Sequence, residues 1–297
     1  LGAVYEPHYY TLYNLKRNYK NNSGTIHNDL GLRDHRTFEK KDDEIRVVFI
    51  GGSTTYTIGI KDNRTIFSAD LEKKLNEHYC GKKIQVVNAG MGGATSAENL
   101  LRLIFFVSEI EPDIVVIQHG LNDVWTRATE SKIKSDFSNY RSFWGKSLDE
   151  NKNININREK PILSAVTTHL FEKSKFTSYL LKYLGYNLPS YKYNSFENDS
   201  KTDRLSVGTL VNRSDVVENV KFLKDNTIKY FERNTKYMIA ICKEMGATVV
   251  LTSEPYTAKA GIIRNVAMVR HNKLLKEIAN KEKPKSFDSD LNSRKMV

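Results

Sequence analysis

Cysteine is nearly absent from this chain. Cys80 and Cys242 are the only two, and with no short spacing between them they suggest neither a disulfide framework nor a zinc site; both read as buried packing residues. No apolar run approaches the ~20 residues needed to cross a bilayer. No cluster of side chains has metal-ligand spacing, so no metal and no cofactor is expected. No repeat of ~20 to 50 residues stands out, which sets solenoids and propellers aside. Acidic charge is in deficit: 46 Lys and Arg against 35 Asp and Glu leave a formal net charge of +11. Such a charge would suit a polyanionic partner, but the lysines are scattered among acids, as in Glu72-Lys73-Lys74 and Lys281-Glu282-Lys283, the pattern of solvated helix faces. No nucleic-acid-binding module accompanies the charge, so no nucleic-acid partner is expected. The sequence opens at Leu1 rather than methionine, so an upstream signal or membrane anchor is expected.

What is present is the composition of a folded globular protein, 39% hydrophobic with 16 Tyr and 13 Phe. Residues 1–45 read as an irregular N-terminal segment, polar and aromatic, running through Asn28-Asp29-Leu30-Gly31-Leu32-Arg33-Asp34. Then the pattern changes. Arg46-Val47-Val48-Phe49-Ile50, Ile84-Gln85-Val86-Val87-Asn88 and Asp113-Ile114-Val115-Val116-Ile117-Gln118 are short β-branched runs of the kind that form buried parallel strands. Between them, Phe67, Leu71, Leu75 and Tyr79 share one helix face. A second helix opens on the capping-box spacing Thr95-Ser96-Ala97-Glu98, with Leu100, Leu101, Ile104 and Phe105 expected inward. From about 128 to 215 the chain is rich in Asn, Lys and Ser and reads as an insertion, with one or two helices over Ile162 to Leu184 that would sit over a site as a lid. A long helix from Val216 to Met245, a fourth strand over Ala247 to Thr252, a helix from Ile262 to Ala279 and a weak strand near Ser286-Phe287-Asp288 complete the pattern. The fold class is α/β: a flavodoxin-like three-layer sandwich around a parallel sheet of order 2-1-3-4-5.

Ser53 follows the first strand in Gly51-Gly52-Ser53-Thr54-Thr55, where glycines allow a tight turn at the sheet's carboxyl edge. Taken alone, it reads better as a helix N-cap than as a nucleophile. Thr55 replaces the second glycine of an α/β-hydrolase elbow. A P-loop is excluded because Gly51 to Gly59 holds no lysine. Gly90-Met91-Gly92-Gly93-Ala94-Thr95 has the wrong spacing for a dinucleotide loop and follows the second strand. The stronger signal is a set of three loops. Ser53, Gly93 and Gly120-Leu121-Asn122-Asp123 follow three strands that are neighbours in the 2-1-3 order. The amides of Ser53 and Gly93 and the side chain of Asn122 would then meet at one rim and bind one oxygen.

In these blocks the sequence resembles the SGNH (GDSL-like) hydrolases. Gly52-Ser53, Asn88-Ala89-Gly90-Met91-Gly92-Gly93 and Gly120-Leu121-Asn122-Asp123 match in order and spacing, closely over Arg46 to Arg127 and loosely over Tyr230 to Pro255, within a hydrolase-like domain spanning 46–297. Gly52 stands where the family's aspartate would be, a variant associated with bacterial members linked to cell-surface glycans. The resemblance implies a serine esterase in which Ser53 forms an acyl-enzyme and Gly93 and Asn122 help to bind the oxyanion. The expected substrate is a small acyl ester or an acylated glycan, and the expected location extracytoplasmic or membrane-anchored. Trp125 and Arg127, just past Asn122, are candidate substrate contacts. The family's Asp-x-x-His block is missing, since Asp290-Leu291-Asn292-Ser293 ends in Ser. The catalytic Asp and His are therefore expected in a segment beyond Val297. His8, His27, His35, His78 and His169 read as surface or packing residues, and no motif supports His271. Only His119 adjoins a site loop, and packing is its expected role too. An acyltransferase using the same acyl-enzyme, and a silent domain that binds carbohydrate or scaffolds an envelope assembly, remain the alternatives.

Overall fold

The computed structural model describes residues 4–8, 10–36, 39, 43–79, 81–128, 133–137, 216–254, 262–282 and 285–287. The chain divides into two compact units, one of Leu1–Gly2 with Arg141–Arg204 and one of Ala3–Tyr140 with Leu205–Val297. Every described residue belongs to the second. Most of the expected insertion, including the helices expected over Ile162 to Leu184, lies outside the described residues.

An antiparallel hairpin, β1 (Tyr5–His8) and β2 (Leu12–Leu15), comes first. The β-branched runs then form a parallel sheet of β3 (Glu44–Gly51), β4 (Lys83–Gly90), β5 (Ile114–Gln118), β6 (Thr248–Thr252) and β7 (Lys285–Phe287), in the order β4-β3-β5-β6-β7. Numbered within the sheet, that is the expected 2-1-3-4-5. Between the strands run α1 (Ser53–Tyr56), α2 (Phe67–His78), α3 (Ser96–Arg102), α4 (Leu121–Ala128), α5 (Val216–Asp225), α6 (Lys229–Glu244) and α7 (Ile262–Glu282). No helix among the described residues is long and apolar enough to cross a membrane.

Strand alternation sends side chains to two cores. Val48 and Ile50 of β3 join Val87, Val115, Ile117, Phe231, Met238 and Leu275 on the face covered by α3, α6 and α7. Val47 joins Ile84, Val86 and Val116 on the face covered by α2, where Phe49 meets Phe67 edge-on at 5.0 Å. Each such buried apolar side chain contributes ~1.5–3 kcal/mol relative to exposure. Cys242 is one of these core residues, and burial pushes its thiol up to about 12.

Three readings are corrected. The inward face expected of the second helix fails beyond Leu101, because Ile104 and Phe105 are 40% and 39% exposed while Leu103, Phe106 and Val107 are buried. The cause is a π-turn over Leu103–Val107, which takes up an extra residue and rotates the apolar face. The long helix expected from Val216 to Met245 is two, α5 and α6. Around the break, Arg127 Nη2 donates to the carbonyl oxygens of Leu223 and Asn226, and Asn226 Nδ2 donates back to Arg127 O. Carbonyls tied in this way are unavailable to a continuing helix. Finally, residues 1–45 are not wholly irregular: besides the hairpin, Leu15 and Leu32 are fully buried.

Candidate functional site

The sheet register sets the site. Gly51 at the end of β3 lies beside Gly90 of β4 and Gln118 of β5, so the loops that follow leave one carboxyl edge side by side. Two of these glycines are required by close approach: a β-carbon at Gly51 would collide with Gln118 O and Thr55 Oγ1, and one at Gly90 with Tyr56 N. The chain therefore turns directly over the sheet edge into α1. Ser53, half-buried, is the first residue of that single-turn helix, where a backbone N–H has no intrahelical acceptor. Thr55 donates its hydroxyl to Gln118 Oε1 (3.0 Å), and its carbonyl accepts from Asn88 Nδ2 (2.7 Å). The turn closes with Ile58 N donating to Ser53 O (3.0 Å), through Thr57 at φ +62°.

The second loop is tied to the first by Met91 N donating to Gly51 O (3.0 Å). Gly93 adopts φ +77°, a left-handed conformation that favours glycine, and a β-carbon there would also lie 3.1 Å from the Tyr13 hydroxyl. Tyr13, from β2, donates to Gly92 O (3.2 Å). Beyond this loop α3 starts on a complete capping box of Thr95 and Glu98. Asn122, on α4, gives one amide hydrogen to Ala94 O (2.8 Å) and keeps a second N–H to donate. Its Nδ2 stands against Gly52, 2.9 Å from where a β-carbon would be. The structure thus gathers the turn carrying Ser53, the loop carrying Gly93 and the side chain of Asn122.

Asp123 is fully buried beneath them. Its carboxylate accepts from Ser96 N (3.0 Å) and from the Ser96 hydroxyl, which in turn accepts from Asn234 Nδ2 of α6 (3.0 Å). Burial pushes Asp123 up to about 7. Sequence reasoning singled out neither Tyr13, Asp123 nor Asn234 as site residues. Asp123 had a signal, its place in Gly120-Leu121-Asn122-Asp123; the others had none.

The candidate substrate contacts fall elsewhere. Arg127 is 1% exposed, its guanidinium held by the carbonyls of Leu223 and Asn226 and by His271 Nε2 (3.0 Å). It braces α4, α5 and α7 from within. Trp125 packs at the edge of a cluster of Val124, Ala128, Leu223, Ala267 and Met268.

Of the histidines, His119 bonds Thr235 Oγ1 (3.1 Å) and burial lowers it to about 3. His271 is buried against Phe231 and Arg127 and lowered well below the usual imidazole range, chiefly by burial. His27 bonds the Tyr56 hydroxyl (3.0 Å) and is lowered to about 4, again chiefly by burial. His8, His35 and His78 make local bonds or ion pairs with Thr11, Asp34 and Lys74. His169 lies outside the described residues. Among the described residues no histidine hydrogen-bonds the Ser53 hydroxyl, and no group of three His, Cys, Asp or Glu comes together as a metal site would.

In sequence, no curated protein matches the chain. In structure it is similar to an acetylxylan esterase from Geobacillus stearothermophilus (15% identity, TM-score 0.46, 85% of this chain and 81% of that one). It is also similar to TesA (17%, 0.41, 81% and 76%) and to AlinE4, a SGNH-hydrolase family esterase (13%, 0.41, 83% and 77%). Residues 49–185, a span that contains Ser53, Gly93 and Asn122, match the model of the GDSL-like Lipase/Acylhydrolase family.

Proposed function

We propose that the protein is a serine esterase that removes a short acyl group, with O-acetyl groups of a cell-surface glycan as the substrate class, through an acyl-enzyme on Ser53. The observation that carries this reading is the side-by-side register of Gly51, Gly90 and Gln118, with the Asn122 amide standing against Gly52. It is the arrangement an oxyanion site needs: donors on the segments that follow three neighbouring strands, in place before charge develops. In this mechanism Ser53 Oγ attacks the ester carbonyl and passes its proton to a base. The amides of Ser53 and Gly93 and Asn122 Nδ2 hold the oxyanion while the ester C–O bond breaks and the alcohol leaves with the proton. Water then releases the acid and restores Ser53. The Gly-Ser form of the first block supports the glycan part of the reading.

The base and its carboxylate partner are proposed to come from outside the described residues, since His119 and His271 are committed to Thr235 and Arg127. That same commitment favours a second reading, a silent domain of this fold that binds an acylated glycan without cleaving it. A serine-reactive phosphonate separates the two. Intact mass is expected to show one adduct on the wild type and none on Ser53→Ala, with hydrolysis of short p-nitrophenyl esters lost in parallel. Full turnover by Ser53→Ala would end the nucleophile assignment, and an unlabelled wild type would favour the silent reading.

A further inference from the structure

A buried cation from the N-terminal segment grips the nucleophile turn. Arg33 lies outside the family-matched span and is 2% exposed. Its five N–H donors have five acceptors. Nε donates to Asn63 Oδ1 (3.0 Å), Nη1 to the carbonyls of Tyr56 (2.6 Å) and Thr57 (3.1 Å), and Nη2 to those of Ile60 (2.5 Å) and Lys61 (3.3 Å). The guanidinium also stacks 4.6 Å from the Tyr56 ring centre. Arg33's own backbone N–H donates to Asn88 O (3.0 Å), and Asn88 is the residue whose side chain holds Thr55 O.

Two physical points make this more than packing. Burying a cation is costly unless it is paired or fully hydrogen-bonded, and among the described residues no carboxylate forms an ion pair with Arg33. The cost is met by neutral oxygens, four of them carbonyls crowded into Tyr56–Lys61, the stretch that runs on from the last residue of α1. A single helical turn cannot hold itself in water. This one ends on Thr57, a β-branched residue at φ +62°, a conformation that such side chains strongly disfavour. Something outside the turn must hold it, and Arg33 bonds the carbonyl of that very residue.

We propose that Arg33 is a positioning residue for the nucleophile: by holding the carbonyls of Tyr56, Thr57, Ile60 and Lys61 it keeps the strained turn closed and Ser53 Oγ aimed at the ester carbonyl. This rests on Ser53 being the nucleophile. The rival explanation is that Arg33 only stabilises the fold, and Arg46 is the natural control. It too is fully buried, and it bonds Gln85 and Ile110 O near the start of β3, away from the carboxyl edge.

The test compares wild type, Arg33→Lys, Arg33→Ala and Arg46→Lys by kcat and KM on p-nitrophenyl acetate, phosphonate labelling of Ser53, hydrogen exchange over residues 53–61 and thermal midpoint. Lysine keeps the charge but not the fork. Arg33→Lys is expected to lose about ten-fold or more in kcat and labelling rate with KM within about three-fold, as misaimed nucleophiles do, and to exchange faster at Thr54 to Ile58. Guanidinium, below denaturing concentrations, should restore part of the labelling of Arg33→Ala. Arg46→Lys should lower the midpoint and leave kcat unchanged. If Arg33→Lys labels at the wild-type rate while its midpoint falls as that of Arg46→Lys does, Arg33 is only a stabiliser and the proposal fails alone. If wild-type Ser53 refuses the reagent, the nucleophile reading fails first and takes this one with it. Should neither Arg33 variant fold, Asn63→Ala, which removes one of the five acceptors, decides: reduced kcat at constant KM supports the proposal, and unchanged kcat overturns it.

Discussion

Gly52 shows how one residue ties the backbone to the chemistry. It occupies the position of the aspartate in the family's first block, and its backbone gives no reason for glycine, since φ −89° and ψ −150° suit any residue. The reason is across the loop: a β-carbon would come within 2.9 Å of Asn122 Nδ2. That atom ends a side chain and can be pushed aside at small cost to the fold. The shift would, however, move the proposed oxyanion donor. Gly52→Ala is therefore expected to keep the wild-type thermal midpoint and lose about ten-fold in kcat with little change in KM, a smaller version of the ~10²-fold to 10³-fold loss expected of Asn122→Ala. Steady-state kinetics on a short ester decide. Wild-type kcat in Gly52→Ala would mean that Asn122 does not donate from where the structure places it.

At the scale of elements, the site depends on how α3, α4 and α6 are fastened at one serine. Ser96 gives its backbone N–H and its hydroxyl to Asp123 of α4 and accepts from Asn234 of α6, all of it buried. Asp123→Ala would leave two buried donors without an acceptor, a loss of about 2–4 kcal/mol. Asp123→Asn keeps one acceptor and should cost less. Urea denaturation of the three proteins tests the order, and an alanine variant within about 1 kcal/mol of wild type would show that water or a rearranged loop takes over. Much of this level was readable beforehand. Fully buried parallel strands are written as unbroken runs such as Val47 to Ile50, glycines punctuate their ends, and Thr95 with Glu98 spelled a helix start. Two of the unread parts, the bonds of Arg33 and of Arg127, have a common cause. The acceptors of Arg33 lie 23 to 30 residues further along the chain, and those of Arg127 on Leu223 and Asn226 some 96 to 99 away. Such bonds leave no local periodicity, so Arg127 read as a candidate substrate contact. The π-turn over Leu103–Val107 was hidden for the opposite reason: its residues are all apolar, and a run without polar spacing does not show which face is turned inward.

For the molecule as a whole, the buried titratable groups set how stability follows pH. His27, His119 and His271 are held neutral by burial, with the first two lowered to about 4 and about 3 and His271 well below its usual 6.5. Above pH 6.5 the folded and unfolded chains agree on these groups. As pH falls through about 6.5 the unfolded chain binds protons that the folded chain refuses, so the three histidines withdraw stability on the acid side. Asp123 acts the other way: raised from 3.8 to about 7, it keeps in the folded state a proton that the unfolded chain releases above about pH 4, so its effect favours folding at low pH and is lost as pH rises through 7. Three groups oppose one across the same window. The balance leaves about two unmatched protons near pH 5, worth about 3 kcal/mol per pH unit at the steepest point. The denaturation midpoint is thus expected to fall as pH is lowered from about 7 to about 5. His119→Gln should make that fall shallower by removing one of the three histidines. Asp123→Asn should make it steeper, because the single opposing group is gone. Urea titrations at several pH values on the three proteins measure the slopes directly. A midpoint flat across the window, or a His119→Gln slope equal to that of the wild type, would mean that the folded protein does admit these protons and that its buried histidines are reached by solvent.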